Sequence, residues 1–219
     1  MDKYRMLFSK TGRAIYISHL DLMRTVTRAF MRAECRLKYS EGFNPHPGIS
    51  IALPLSVGCE SICELMDFKM REELPCAEIK ARLAPQFPEG IEVIDVYEPE
   101  RKVKEIKWLR VSGAFEYDER STEKMAGELN GFYAAESIVI AKKTKRGMGQ
   151  SDIRPAIKEI SFAPDADCVK MTALIYAQEP TLNPELIAEA LRQLRPDTAP
   201  DFAKFRRIEL YDENMAVFR

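Results

Sequence analysis

The chain has 219 residues, of which 46% are hydrophobic and 31% charged, and its formal net charge is −1. This composition suits a soluble globular protein of one large or two small domains and excludes a disordered or fibrous chain. No apolar run approaches the roughly 18 residues of a membrane span. The start Met1-Asp2-Lys3-Tyr4-Arg5 lacks the apolar segment of a signal peptide, so a cytoplasmic location is expected.

Tyr4-Arg5-Met6-Leu7-Phe8 alternates and predicts a strand ended by Thr11-Gly12. Ser18 and Asp21 have the spacing of a capping box and open a helix. Its buried stripe is expected from Leu20, Met23, Val26, Thr27, Phe30 and Ala33. Opposite that stripe Arg24, Arg28 and Arg32 recur every four residues, a guanidinium ridge suited to a phosphate backbone; a merely solvated helix face is the plain alternative. His19 stands at the first helical positions, where the helix dipole suits a neutral general base; a histidine that only completes the cap is the alternative.

The stretch Tyr39-Ser40-Glu41-Gly42-Phe43-Asn44-Pro45-His46-Pro47-Gly48 is neither a regular helix nor a central strand. Pro45 and Pro47 fix φ, remove donors and push Asn44 and His46 into extended backbone. Tyr39 and Phe43 are candidates for stacking on bases or for packing inward, Glu41 and His46 for an acid/base pair, and Asn44 for orienting a substrate or replacing a turn hydrogen bond; a purely structural loop is the plain alternative. Strands at 49–53 and 64–70, a helix at 76–85 and a strand at 91–97 complete a βαββαβ order. The charged, aperiodic stretch 98–106 reads as a linker. It divides an N-terminal unit, 1–97, from a C-terminal unit, 107–219.

Beyond the linker the order recurs. Strands are expected at 108–117, 137–142, 167–177 and 205–211, and helices at 121–135 and 183–194. Lys142 to Gln150 reads as a basic turn carrying Lys145 and Arg146, and 152–162, with Arg154, stays open as an extra segment that breaks the symmetry. The expected fold class is α+β: two ferredoxin-like units in tandem, with antiparallel sheets and helices on one face. A single mixed sheet is the alternative.

Charge is segregated. Residues 1–50 carry +5, residues 142–158 another +5, and the remainder −11, which points to a local anionic partner; acids from elsewhere in the chain folding over the basic segments are the alternative. The five cysteines have no paired spacing and are expected as reduced thiols, and no metal or cofactor is expected. Cys59 and Cys63 are the closest pair, but Met66 stands where a radical SAM cluster motif needs its third cysteine. There is no Walker motif, no H-E-x-x-H and no nucleophile elbow.

Three stretches resemble the radical-SAM-linked family of unknown function: Ile15-Tyr16-Ile17-Ser18-His19-Leu20-Asp21-Leu22-Met23-Arg24, the run from Tyr39 to Pro47, and Ala52-Leu53-Pro54-Leu55-Ser56-Val57-Gly58. The later Asp152-Ile153-Arg154-Pro155 extends the likeness. That domain occurs alone or appended to a radical SAM protein, and this chain is similar to the stand-alone form. The resemblance implies a radical SAM protein as a partner, and the family's bacterial gene neighbours hint at RNA. The doubled order is also similar, as fold analogy only, to CRISPR RNA-processing endoribonucleases.

The leading expectation is an RNA-associated protein acting on or presenting tRNA or rRNA. Arg24, Arg28, Arg32, Lys145, Arg146 and Arg154 would hold phosphates, and Tyr39 and Phe43 would stack. His19, Asp21, Glu41, Asn44 and His46 would line one cleft. The alternatives are a metal-independent ribonuclease or modifying enzyme using His19 and His46, and a protein-binding accessory module.

Overall fold

β1 (Tyr4–Lys10) is buried along its whole length, because both of its faces are covered. In the computed structural model, which describes residues 4–144 and 147–219, the chain divides into two units, 1–105 with Arg219 and 106–218. In the first unit β1 lies between β3 (Glu60–Phe68) and β4 (Ile91–Tyr97), antiparallel to both. β2 (Ile49–Ile51) pairs with the other edge of β3, giving the order β4-β1-β3-β2. Alternate residues Tyr4, Met6, Phe8, Met66 and Phe68 form a core with Val26 and Phe30 of α1 (His19–Arg32) and Ile79 and Leu83 of α2 (Cys76–Leu83).

Arg5 and Leu7 point to the opposite face, with Asp67 and Leu65 directly across from them. Arg5 is 1% exposed and donates to both carboxylate oxygens of Asp67, at 2.5 and 2.9 Å.

The stripe of α1 differs from expectation. Leu22, Val26, Ala29 and Phe30 are buried, while Leu20 is 66% exposed. At 100° per residue the core face runs through 22, 26, 29, 30 and 33, which turns Leu20 to the far side. The helix ends in a Schellman motif: Cys35 N–H donates to Phe30 O (3.0 Å) and Glu34 N–H to Met31 O (3.2 Å). Glu34 therefore takes the left-handed position usually held by glycine, with φ 55°.

In the second unit β5 (Trp108–Glu116) lies between β9 (Cys168–Tyr176) and β10 (Phe202–Tyr211), and β8 (Ile157–Pro164) pairs with the outer edge of β9. The order is β10-β5-β9-β8, all antiparallel. α3 (Thr122–Tyr133) packs through Tyr133 on Phe162, ring centroids 5.4 Å apart. The Tyr133 hydroxyl donates to Ile187 O of α4 (Glu185–Leu194).

Two local expectations change here. The segment read as a basic turn is mostly two paired strands, β6 (Val139–Thr144) and β7 (Gly147–Asp152); Lys145 and Arg146, expected to hold phosphates, lie outside the described residues. The open segment 152–162 contains a 3-10 turn, Arg154–Ala156, and most of β8. The β6–β7 pair is thus what departs from the strand–helix order, and β8 belongs to the sheet. A register shift between Ile157 and Glu159 blurs the alternation of β8 in sequence. Among the described residues no helix is long and apolar enough to cross a membrane.

Candidate nucleic-acid interface

The segment leading into His19 is held from beneath. The buried ammonium of Lys10 donates to Ile15 O (3.2 Å) and Ile17 O (3.1 Å), and Gly58 N–H donates to Ile15 O (3.0 Å). The first and third family-like stretches therefore meet. Ser18 caps α1 by accepting from Asp21 N–H (3.1 Å), and its hydroxyl donates to Asp21 Oδ2 (2.8 Å). Arg24 donates to Asp21 Oδ1 (2.9 Å). The Ser18 hydroxyl, then Arg24, hold the Asp21 carboxyl below its usual range, so it is an ionised capping group. His19 is exposed at the first helical position.

Of the ridge arginines, Arg24 and Arg28 are exposed, and Arg28 makes no ion pair among the described residues. Arg32 is committed to Gln86, donating to its backbone carbonyl and to Oε1 (3.3 Å). Arg154 spans two backbone carbonyls, Ala135 O (3.1 Å) and Ile157 O (2.7 Å), which ties the end of α3 to the start of β8.

The proline loop is closed at its base. Tyr39 pairs with Pro47, Ser40 N–H donates to His46 O (2.8 Å), and His46 N–H donates to Ser40 Oγ (2.9 Å). Gly48 N–H donates to Lys38 O (2.7 Å), and Lys69 N–H to Gly48 O (2.9 Å). A Cβ on Gly48 would stand 2.9 Å from Lys38 O, so the close strand approach requires glycine. Glu41, Asn44 and His46 are exposed, and Phe43 is 112% exposed at the loop tip.

His19 and His46 do not share a cleft. His19 opens α1 next to the Lys10 end of β1, while the base of the His46 loop is sewn to Lys69, one residue past Phe68, which pairs with Tyr4. The six residue steps from Tyr4 to Lys10 span roughly 20 Å at about 3.4 Å each, and the 14-residue helix spans about the same. The expected return of the loop along the helix does not occur, because the hydrogen bonds to Lys69 anchor it at the far end.

A second surface lies in the other unit, and none of its aromatic residues stood out in sequence. Leu109, Val111, Phe115, Val169, Met171 and Ala173 turn inward, which leaves the alternate residues of β5, β9, β10 and β8 on the other face. Cross-strand register sets these in rows. The first is Tyr211–Trp108–Tyr176, the second Glu209–Arg110–Leu174–Glu159, the third Arg206–Ser112–Thr172–Ser161 and the fourth Lys204–Ala114–Lys170–Ala163. Except for Leu174 these residues are half-buried or exposed.

Trp108 and Tyr176 stack with centroids 4.2 Å apart. Lys158 lies 4.8 Å over the Trp108 ring, Lys107 4.8 Å over Tyr176, and Arg110 5.8 Å over Tyr211. Lys204 and Lys170 pair with Glu116 and Asp165 at 2.6 Å. The signal available in sequence was an aromatic at a polar position of an alternating strand, Trp108-Leu109-Arg110-Val111-Ser112.

The fold and these surfaces define an α+β protein of antiparallel sheets, one of which carries an open aromatic and basic face. The chain belongs to the family described as an uncharacterized protein conserved in bacteria (DUF2344), whose model matches residues 3–184. No curated protein matches it. Among solved structures it is similar to a Cbf5-Nop10-Gar1 complex, at 11% identity and a TM-score of 0.49. That match covers 97% of this chain, which spans 50% of the matched chain's length. It is also similar to an unknown protein from Galdieria sulphuraria (9% identity, TM-score 0.29, 94% and 98% covered). A third likeness is to the small subunit of acetolactate synthase from Thermotoga maritima (11%, 0.27, 97% and 98%).

Proposed function

We propose that the protein binds single-stranded regions of RNA, such as tRNA or rRNA, on the open sheet face of its second unit. The observation that carries this reading is the row Tyr211–Trp108–Tyr176 with Lys107, Lys158 and Arg110 against its rings. Aromatic rings on the central strands of a four-stranded sheet can stack unpaired bases, and lysines displaced from ring faces are placed to meet phosphates. The exposed Arg24 and Arg28 and the Phe43 loop would give the RNA further points of attachment.

The reading includes a tandem of two ferredoxin-like units in the cytoplasm. The orders β4-β1-β3-β2 and β10-β5-β9-β8 support the tandem, since each is 4-1-3-2 within its unit once the β6–β7 pair is set aside. A radical SAM protein as partner is supported by the likeness of the N-terminal stretches. A ribonuclease that pairs His19 with His46 is disfavoured by their separation.

The test is fluorescence anisotropy with labelled single-stranded RNA and its duplex. Replacing both Trp108 and Tyr176 by Ala should cost about 1–3 kcal/mol per stacked base, and the duplex should bind more weakly than the single strand. Unchanged affinity in the double variant would overturn the assignment.

A further inference from the structure

We propose that the cavity at the C-terminal end of α1 binds the phosphate of a nucleotide, either free or at the 5′ end of an RNA. The cavity has a volume of about 600 Å³ and is lined by Met31, Arg36, Tyr39, Arg71, Glu72 and Arg82 among others. That size lies in the range of small-ligand sites, about 300–1,000 Å³.

Its charge arrangement favours an anion. Leu37 bridges Met70, and Arg71 N–H donates to Arg36 O (2.8 Å), so Arg36 and Arg71 stand directly opposite across an antiparallel pair. Like charges in that position repel. Among the described residues Arg36 has a loose ion-pair neighbour in Glu72, 3.6 Å away with both side chains exposed. Arg82 is paired with Glu78, and Arg71 has no ion pair among the described residues. Glu34, the other acid in the lining, sits at the strained turn that ends the helix. A phosphate monoester carries nearly two negative charges and three acceptor oxygens, enough to engage both facing guanidinium groups.

The remaining wall suits a base. Met31, 72% exposed, and Tyr39 both line this space. Cys35 lies buried in the lining, and burial raises its thiol pKa, so the cavity offers no ready thiolate nucleophile. The choice of a nucleotide over another aromatic phosphate rests on the RNA reading; the phosphate itself does not.

The experiment compares adenosine 5′-monophosphate with adenosine by calorimetry, and 5′-phosphorylated with 5′-hydroxyl single-stranded RNA by anisotropy. Each is measured on the unaltered chain, on Arg71→Gln, and on the double variant Trp108→Ala/Tyr176→Ala. The proposal expects the phosphate to improve binding at least tenfold in one of the two formats. That gain should vanish in Arg71→Gln and persist in the double variant. A preference confined to RNA would name the RNA end as the source, and one confined to the mononucleotide would name the free ligand. Equal binding with and without the phosphate in both formats would overturn the proposal, even where the sheet face still binds RNA. A gain that survives Arg71→Gln would also overturn it. Arg71 is exposed, so an unchanged melting temperature checks that the variant is folded.

Discussion

The two units share a strand order but use the helix-free faces of their sheets in opposite ways. In the first, Arg5 and Leu7 of β1 and Leu65 of β3 are almost wholly buried, and the one charged group among them is clamped by Asp67. In the second, the equivalent central strands present Trp108, Arg110 and Tyr176 half-open to solvent. A buried face is held by its packing and tolerates a charge only with a fixed partner. An open face bearing stacked aromatics under lysines forgoes burial of large apolar area, and such a display is typical of a binding surface. The same topology thus buries this face in one unit and leaves it half-open in the other.

The largest expected effect tests the buried side of that contrast. Asp67→Ala leaves the Arg5 guanidinium buried without its carboxylate and should cost about 3–5 kcal/mol in urea denaturation. Arg5→Met combined with Asp67→Leu should recover most of it, because two apolar side chains take the place of the buried charges. A destabilisation below about 1 kcal/mol for Asp67→Ala would show that this face is not a committed core.

The next effect should appear equally in both units. Burial pushes Tyr97 and Tyr117 from the ordinary 10.0 up to about 12. Each folded-state value is raised, so the contribution is complete below pH 10 and is lost as pH rises from 10 through 12, where the unfolded chain releases protons first. Stability measured across that window should fall on the order of 2 kcal/mol for Tyr117, whose hydroxyl donates to Thr198 O (2.9 Å). Tyr117→Phe should remove that part of the slope, and a slope that survives would contradict the assignment.

A smaller effect separates the two candidate RNA surfaces. Arg24→Glu with Arg28→Glu should weaken RNA binding and flatten its dependence on log salt by about 0.7 for each phosphate that the two arginines no longer neutralise. An unchanged slope would leave the sheet face as the whole interface.

Much of the first unit was legible in sequence. The alternation of Tyr4 to Phe8, the Ser18–Asp21 cap and the proline loop correspond to observed elements, since each is set by local chemistry. The phase of α1 was not, because Leu20 and Leu22 give apolar patterns of similar quality and only the sheet decides between them. Nor was the separation of His19 and His46, which depends on hydrogen bonds from Lys69 to a loop more than 20 residues earlier. The facing arginines 36 and 71, and the row joining residues 108, 176 and 211, arise from strand register across distant segments. No spacing in the chain encodes them.

Trp108 is the single tryptophan in the chain, so its emission reports on the open sheet face alone. Titration with a short single-stranded RNA, followed by tryptophan fluorescence at low and moderate salt, tests the central claim most directly. Bases stacking on the Tyr211–Trp108–Tyr176 row predict saturable quenching that shifts to higher RNA concentration as salt rises and disappears in Tyr176→Ala. RNA binding that leaves the emission unchanged, or no binding at low salt, would contradict it.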